Sequence, residues 1–314
     1  KADELAVQEK FAEAWQTAMP STPGLTSMGM TQAALQGDVR ALMIIGEDPV
    51  VTDPDQHRVA RAFAALDFLV VFELTLTETA KLADVVLPAA SFVEKDGTFT
   101  NCERRVQRIR KAVDAPGAAR CDWQILGDLA ARLGYPGMQW ASAEAVFDEM
   151  AAVAPIFSAM NYAELDARHG LHWPCTGEHP QGSPLLHAQS FPLGKARLIP
   201  VSQVEPAECP DAQYPWVFTT HRLHFHYNCG SMTRKSPLLE RETPAGLVLM
   251  NPLDAAEHGY ADLQAVRVSS RRGQVEARLQ LTDDLPRGTV AMPYHFREAP
   301  CNRLTNDAMD PISK

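Results

Sequence analysis

The sequence predicts an α/β fold, with a doubly wound parallel-sheet unit followed by a small β-barrel. Three observations carry this. Apolar runs at 41–45 and 68–72 alternate with helical segments, as strands covered on both faces do. Beyond Pro215 the pattern changes to short strands that alternate at period two. The chain has 314 residues, 46% of them hydrophobic, which is enough core for two or three domains.

The elements follow in order. Residues 3–17 carry Leu5, Phe11, Ala12 and Trp15 at three-to-four spacing, the mark of an amphipathic helix, and Pro20 and Pro23-Gly24 end it. A second helix starts at Thr26 or Ser27 and stops at Gly37. The strand at 41–45 breaks at Gly46-Glu47-Asp48-Pro49. Residues 56–66 are helical, 68–72 form a strand, and a helical turn over 78–83 leads to Val85-Val86-Leu87-Pro88. A helix over 122–133 closes this unit, so residues 38–134 are expected to form one parallel sheet with helices on both faces. Residues 135–215 are rich in Pro and Gly and hold scattered His169, His172 and His179; they read as a connecting region with a helix at 143–153. Then come a strand at 216–218, another at 247–250, and a helix at 252–258 ended by Gly259. A hairpin of 265–269 and 274–280 turns at Arg271-Arg272-Gly273, and a strand at 289–293 follows. A small barrel is the natural closure. The expected domains are 1–134, 135–210 and 211–314.

Composition excludes several classes. A net charge of −10 argues against a nucleic-acid surface. No apolar run reaches the ~18 residues of a membrane span. The six cysteines, at 102, 121, 175, 209, 229 and 301, form no Cys-x-x-Cys pair and no disulfide framework. That usage suits a reducing compartment, so the cytoplasm is expected, with the periplasm as alternative. The chain starts at Lys1 without an initiator Met, which reads as a cut or processed start. No Walker loop, His-Glu-x-x-His or Gly-x-Ser-x-Gly is present.

In open α/β sheets ligands sit beyond the carboxyl ends of strands. Two such ends are polar: Gly46-Glu47-Asp48-Pro49 and Glu73-Leu74-Thr75-Leu76-Thr77. The first also reads as a plain turn; as a ligand site, its carboxylates suit a guanine or a ribose. Thr98, Thr100 and Asn101 precede Arg104-Arg105, either a solvated loop or a cradle for polar ligand atoms. The densest segment runs from Thr220 to Arg234: Thr-His-Arg-Leu-His-Phe-His-Tyr-Asn-Cys-Gly-Ser-Met-Thr-Arg. A core has little use for so many hydrogen-bonding groups, whereas a large phosphate-bearing ligand would engage them all. His221, His224, His226 and Cys229 also have the composition of a zinc set, but His221 leaves the strand face that His224 and His226 share.

These strings resemble the molybdopterin oxidoreductases. The likeness lies in Thr220-His221-Arg222 running on to Met232-Thr233-Arg234, and in Ala83-Asp84-Val85-Val86-Leu87-Pro88. It continues in Thr77-Glu78-Thr79-Ala80, in Phe99-Thr100-Asn101-Cys102-Glu103-Arg104-Arg105-Val106-Gln107 and in Asp122-Trp123. It closes with His295-Phe296 and Asn302-Arg303-Leu304-Thr305. It is weakest over 135–210 and nearest to the C-terminal portion of the formate dehydrogenase catalytic (alpha) subunit. The resemblance implies a molybdenum or tungsten ion held by two molybdopterin guanine dinucleotides. It implies oxidation of formate to carbon dioxide with transfer of two electrons. Iron–sulfur clusters are then expected only in an upstream N-terminal part of the subunit and in electron-transfer partner subunits. The final domain becomes the molybdopterin-dinucleotide-binding domain. No catalytic or metal-ligating residue is expected here, because the family carries those upstream. The implied cofactor contacts are Gly46, Glu47, Asp48, Glu73, Thr77, Lys95, Asp122, Thr220, His221, Arg222, His226, Tyr227, Asn228, Ser231, Met232 and Asn302. Of these, Glu73, Thr77, Lys95 and Asp122 are expected to face one guanine dinucleotide from one crevice. His221 departs from the family's usual Gly, which puts an imidazole where it would crowd the pterin. A nitrate reductase of the same family is an alternative. So is a cofactor-free relative in respiratory NADH–quinone oxidoreductase, against which the intact segment 220–234 and Asn302 argue.

Overall fold

The computed structural model describes residues 5–188 and 190–308; residues 3–4 of the first expected helix and residues 309–314 lie outside these. The order is α1 (Leu5–Trp15), α2 (Ser27–Gln36), β1 (Ala41–Ile45), α3 (Pro49–Thr52), α4 (Gln56–Ala64), β2 (Phe68–Glu73), β3 (Val85–Pro88), β4 (Gly97–Thr100) and β5 (Arg105–Ile109). Then come α5 (Asp122–Arg132), α6 (Ala143–Val153), α7 (Tyr162–Ala167), β6 (Leu171–His172), β7 (Val217–His221) and α8 (Pro237–Glu242). The chain continues with β8 (Leu247–Met250), α9 (Pro252–His258), β9 (Ala265–Ser269), β10 (Gln274–Leu281) and β11 (Thr289–Pro293).

The chain divides into two compact units, each discontinuous in sequence: 1–24 with 88–201, and 25–87 with 202–314. The segments 1–134, 135–210 and 211–314 expected from the sequence are each continuous, whereas these units are not. Within the second unit, side chains from its distant parts tie the chain together. Asn302 donates from Nδ2 to the carbonyls of Val51 (2.7 Å) and Thr52 (3.1 Å). The Asp55 amide donates to Thr305 Oγ1 (3.3 Å).

That unit holds two sheets. The first has the order β1-β2-β3, with β1 and β2 parallel and Ala41 opposite Phe68. Helix α2 begins where Thr26 accepts from the Gly29 amide (3.2 Å) and ends at Gly37, whose φ of 80° favours a residue without Cβ. Val59, Ala62 and Phe63 of α4 recur at helical spacing and pack with Ala34 of α2 on Leu69 and Val71 of β2. The opposite face differs from the two-sided cover expected. Met43, Ile45 and Phe68 there are 42%, 42% and 45% exposed. Uniformly apolar strands announce burial without saying what supplies it.

The second sheet has the order β7-β11-β8-β10-β9. Its β7–β11 and β8–β10 pairs are parallel, and β8–β11 and β9–β10 are antiparallel. The expected hairpin forms, with Ser269 opposite Gln274 and Ser270 N donating to Gly273 O (2.9 Å). Its core gathers Val248, Met250, Val275, Leu279, Val290 and Met292.

The first unit corrects the reading of 97–109. The segment is neither a solvated loop nor part of a parallel sheet: β4 and β5 pair antiparallel, Gly97 opposite Ile109, and β6 extends them. Nor is Arg104 free to cradle a ligand, although Arg105 Nε is enclosed without a hydrogen-bond partner. Arg104, at φ 67°, donates to the carbonyls of Trp173, Ser183 (3.0 Å) and Pro184 (3.0 Å). Asn101 accepts from the Glu103 and Arg105 amides (3.0 Å each). Short-range polarity does not reveal carbonyls some 70 residues away. Residues 143–175 also carry more structure than a connector: Phe147, Ala151, Leu165 and Leu171 share a core with Val106 of β5.

Candidate functional site

The carboxyl ends of β1 and β2, the arc after β7 and the turn after β11 line one cavity of about 580 Å³ within the second unit. The chain reverses after β1 at Gly46, whose φ is 66°. Asp48 is buried there; its Oδ1 accepts from Thr79 N (2.8 Å) and Thr79 Oγ1 (2.6 Å). Thr79 Oγ1 in turn accepts from the Val50 amide (3.1 Å). These bonds fix the turn whose neighbours Glu47 and Thr52 line the cavity. Glu73 ends β2, and the Leu74 amide donates to its Oε2 (2.8 Å). Burial pushes the Glu73 carboxyl up from its ordinary value; the Leu74 amide opposes this, and the charges of Asp48 and Glu47 add to it. Burial likewise raises Asp53, whose Oδ2 is enclosed without a hydrogen-bond partner.

The other wall comes from 220–232. β7 delivers Thr220 and His221 at its end because it pairs with β11, Thr220 opposite Met292. His221 Nε2 is enclosed and has no protein partner, and burial lowers the imidazole's basicity. Arg222 donates from Nη1 to Asn228 Oδ1 (3.2 Å), with its guanidinium 5.4 Å from the Tyr294 ring centre. Tyr227, Asn228, Ser231 and Met232 complete this side.

Twelve of the sixteen residues expected at a cofactor site therefore line this cavity: Gly46, Glu47, Asp48, Glu73, Thr220, His221, Arg222, Tyr227, Asn228, Ser231, Met232 and Asn302. The other four do not. Thr77 is buried and its Oγ1 accepts from the Ala80 amide (3.2 Å). His226 is buried, donating from Nε2 to Thr243 O (2.8 Å), with Nδ1 3.3 Å from Thr233 Oγ1. Lys95 and Asp122 belong to the other unit, where they pair at 2.8 Å. Even among the lining residues some groups are already engaged, as the Asn302 amide is with Val51 and Thr52. The segment 220–234 is thus divided. His226, Thr233 and Arg234 brace it, Arg234 through Glu240 (2.9 Å) and Glu298 (2.7 Å), while Thr220, His221, Arg222, Tyr227, Asn228 and Ser231 line the cavity and His224 does neither.

Three lining residues escaped the sequence reading: Thr52, Cys229 and Tyr294. Cys229 lies inside the segment 220–234 and Tyr294 directly precedes His295-Phe296, so proximity to those strings was their only signal; Thr52, three residues beyond Pro49, carried none of its own. The zinc reading does not survive: among the described residues no three His, Cys, Asp or Glu groups are grouped to hold a metal.

Chemically the lining offers two kinds of group. Glu47, Asp48 and Glu73 supply acceptors for N–H donors, and Arg222 and Ser231 supply donors for anionic oxygens; His221, whose Nδ1 faces the Arg222 carbonyl, leaves its Nε2 as an acceptor. Such a lining has the hydrogen-bonding groups that a nucleotide-like ligand would use. The family pattern described as Molydopterin dinucleotide binding domain matches residues 216–314, and that described as Molybdopterin oxidoreductase matches 6–132. The chain belongs to the molybdopterin oxidoreductases. It is 46% identical over 310 residues to F420-dependent formate dehydrogenase 2 subunit alpha of Methanococcus maripaludis, covering 98% of this chain and 46% of that protein. With formate dehydrogenase 1 subunit alpha of that organism it shares 43% over 312 residues, with the same coverage. In fold it is similar to acetylene hydratase from Pelobacter acetylenicus: TM-score 0.69, 18% identity, 96% of this chain and 45% of that one. The chain spans about half the length of the curated relatives it matches.

Proposed function

We propose that this chain supplies part of the cofactor cradle of a formate dehydrogenase alpha subunit. The observation that carries this is one cavity lined by both carboxylates and hydrogen-bond donors. Glu73 and Glu47 suit the N–H edge of a guanine, and Arg222 and Ser231 suit phosphate or pterin oxygens. The enclosed, unpartnered Nε2 of His221 supports a ligand on that wall. The ligand would be a molybdopterin guanine dinucleotide, two per molybdenum or tungsten ion. When bound, the metal-loaded cofactor supplies the two-electron chemistry that takes formate to carbon dioxide and a proton. The residues here bind and orient it; Lys95 and Asp122 remain proposed contacts of the assembled subunit. Electrons would leave through iron–sulfur clusters elsewhere in the subunit and in partner subunits, in the cytoplasm. The second sheet ends at the edge strands β7 and β9, which both line one further cavity of about 1220 Å³; its closure there into a barrel is part of the same proposal. No helix among the described residues is long and apolar enough to cross a membrane.

The protein extended to its relatives' length should reduce a viologen dye with formate, and the 314-residue chain given cofactor should not. Dye reduction by the short chain, or nitrate turnover in place of formate turnover by the long one, would overturn the reading.

Glu73 gives a second test. Because its carboxyl is raised, ionising it opposes folding, so Glu73→Gln should stabilise the ligand-free chain at neutral pH. The gain should be under about 1 kcal/mol, since the group is partly in water. The same change should weaken GDP binding, because the amide presents an N–H₂ where guanine needs an acceptor. In the wild type, GDP affinity should fall on acidification at a pH above the ordinary carboxyl value of 4.5. Calorimetry at several pH values reads both effects.

A further inference from the structure

We propose that His295, neutral with its proton on Nδ1, is a positioning residue that sets the arc 222–228 for ligand. The inference rests on the cofactor reading of the cavity that this arc lines. His295 follows β11 and is 1% exposed. Its two ring nitrogens grip the arc at both ends. The Leu223 amide donates to Nε2 (2.9 Å), and Nδ1 bonds the carbonyl oxygen of Asn228. Partner chemistry assigns the tautomer: a backbone N–H only donates, so Nε2 accepts, and a carbonyl only accepts, so Nδ1 carries the hydrogen. The chain bends at the second anchor, Asn228, whose φ of 46° lies in the left-handed region. Arg222 and Asn228, bonded to each other, face the cavity from the ends of this arc. His295 therefore acts through them and touches no ligand.

Protonation would turn Nε2 into a donor facing the Leu223 donor, leaving that amide unpaired. The surroundings resist protonation. Burial is the main cause that lowers the basicity of His295, with the charges of His226, His221 and Arg222 acting the same way and the Asn228 carbonyl opposing. Tyr294 packs on the ring at 4.7 Å and His226 at 5.9 Å; Glu240 on α8 faces His226. The folded value lies below the ordinary 6.5, so the arc's anchoring is fully present above 6.5 and is lost as pH falls below it.

Hydrogen exchange of the Leu223 amide, corrected for intrinsic rate, tests this at pH about 7.5 and about 5.5, either side of the free imidazole value. Three proteins are compared: wild type, His295→Gln and His295→Leu. A glutamine carries a carbonyl acceptor and an N–H donor on one carbon and can bridge the same two partners. His295→Leu should expose the amide about tenfold or more, with β10 amides unchanged as a folding control. His295→Gln should retain protection and lose most of its pH dependence. GDP affinity should follow protection across the three proteins. Equal protection in wild type and His295→Leu would overturn the proposal; so would matching pH profiles in wild type and His295→Gln, which decides the matter if the leucine variant does not fold. If exchange behaves as expected but GDP binds none of the three, the positioning role stands and the cofactor reading fails.

Discussion

Arg222→Ala in the enzyme of full relative length is expected to lower metal and cofactor occupancy by about tenfold or more while leaving the Michaelis constant for formate unchanged. A guanidinium hydrogen bond to a charged oxygen contributes about 1.5–3 kcal/mol, enough for that loss. The side chain is exposed, and its protein contacts are few: Asn228 Oδ1 at 3.2 Å and the Tyr294 ring. The fold should therefore survive. Metal content per subunit, measured beside the kinetics of the metal-replete fraction, separates the cases. A variant that keeps its metal but shows a much higher Michaelis constant would place Arg222 at the substrate instead.

Asp48→Ala is expected to destabilise the chain by about 2–4 kcal/mol, because it orphans buried donors. Asp48 is 5% exposed and Thr79 is fully buried, and one carboxylate oxygen accepts from both the amide and the hydroxyl of Thr79. Asp48→Asn keeps an oxygen for them and should cost less. Urea unfolding of the two variants beside wild type reads the difference. Equal midpoints for alanine and wild type would show that this contact does not hold the turn. The same experiment separates two roles that the sequence merged. Asp48 lines the cavity, but its Oδ1 is committed to the protein, so its loss should act on the fold as well as on the ligand.

Much of the site was legible because it is local. Gly46-Glu47-Asp48 and Glu73 end apolar runs, and strand-end polarity is a short-range signal. The arc 220–232 is contiguous, so its richness in polar groups was visible before any fold was known. What could not be read was which of those groups are spent. His226 meets Thr243, Arg234 meets Glu298, and His295 reaches back to Leu223. Their partners lie from 17 to 72 residues away, beyond any pattern of spacing.

The sequence by itself determined the local elements, because periodicity, caps and turn chemistry act within a few residues. Helix α2 between Thr26 and Gly37, and the β9–β10 hairpin about Arg271-Arg272-Gly273, are set this way. It also determined the family, because the motif strings are contiguous. Only the tertiary structure decided that residues 25–87 join 202–314 in one unit, that β4 and β5 pair antiparallel, and that Lys95 and Asp122 pair with each other outside the cavity. Those outcomes depend on hydrogen bonds and packing between distant segments, such as Asn302 with Val51, whose energy is not encoded in the neighbourhood of either residue.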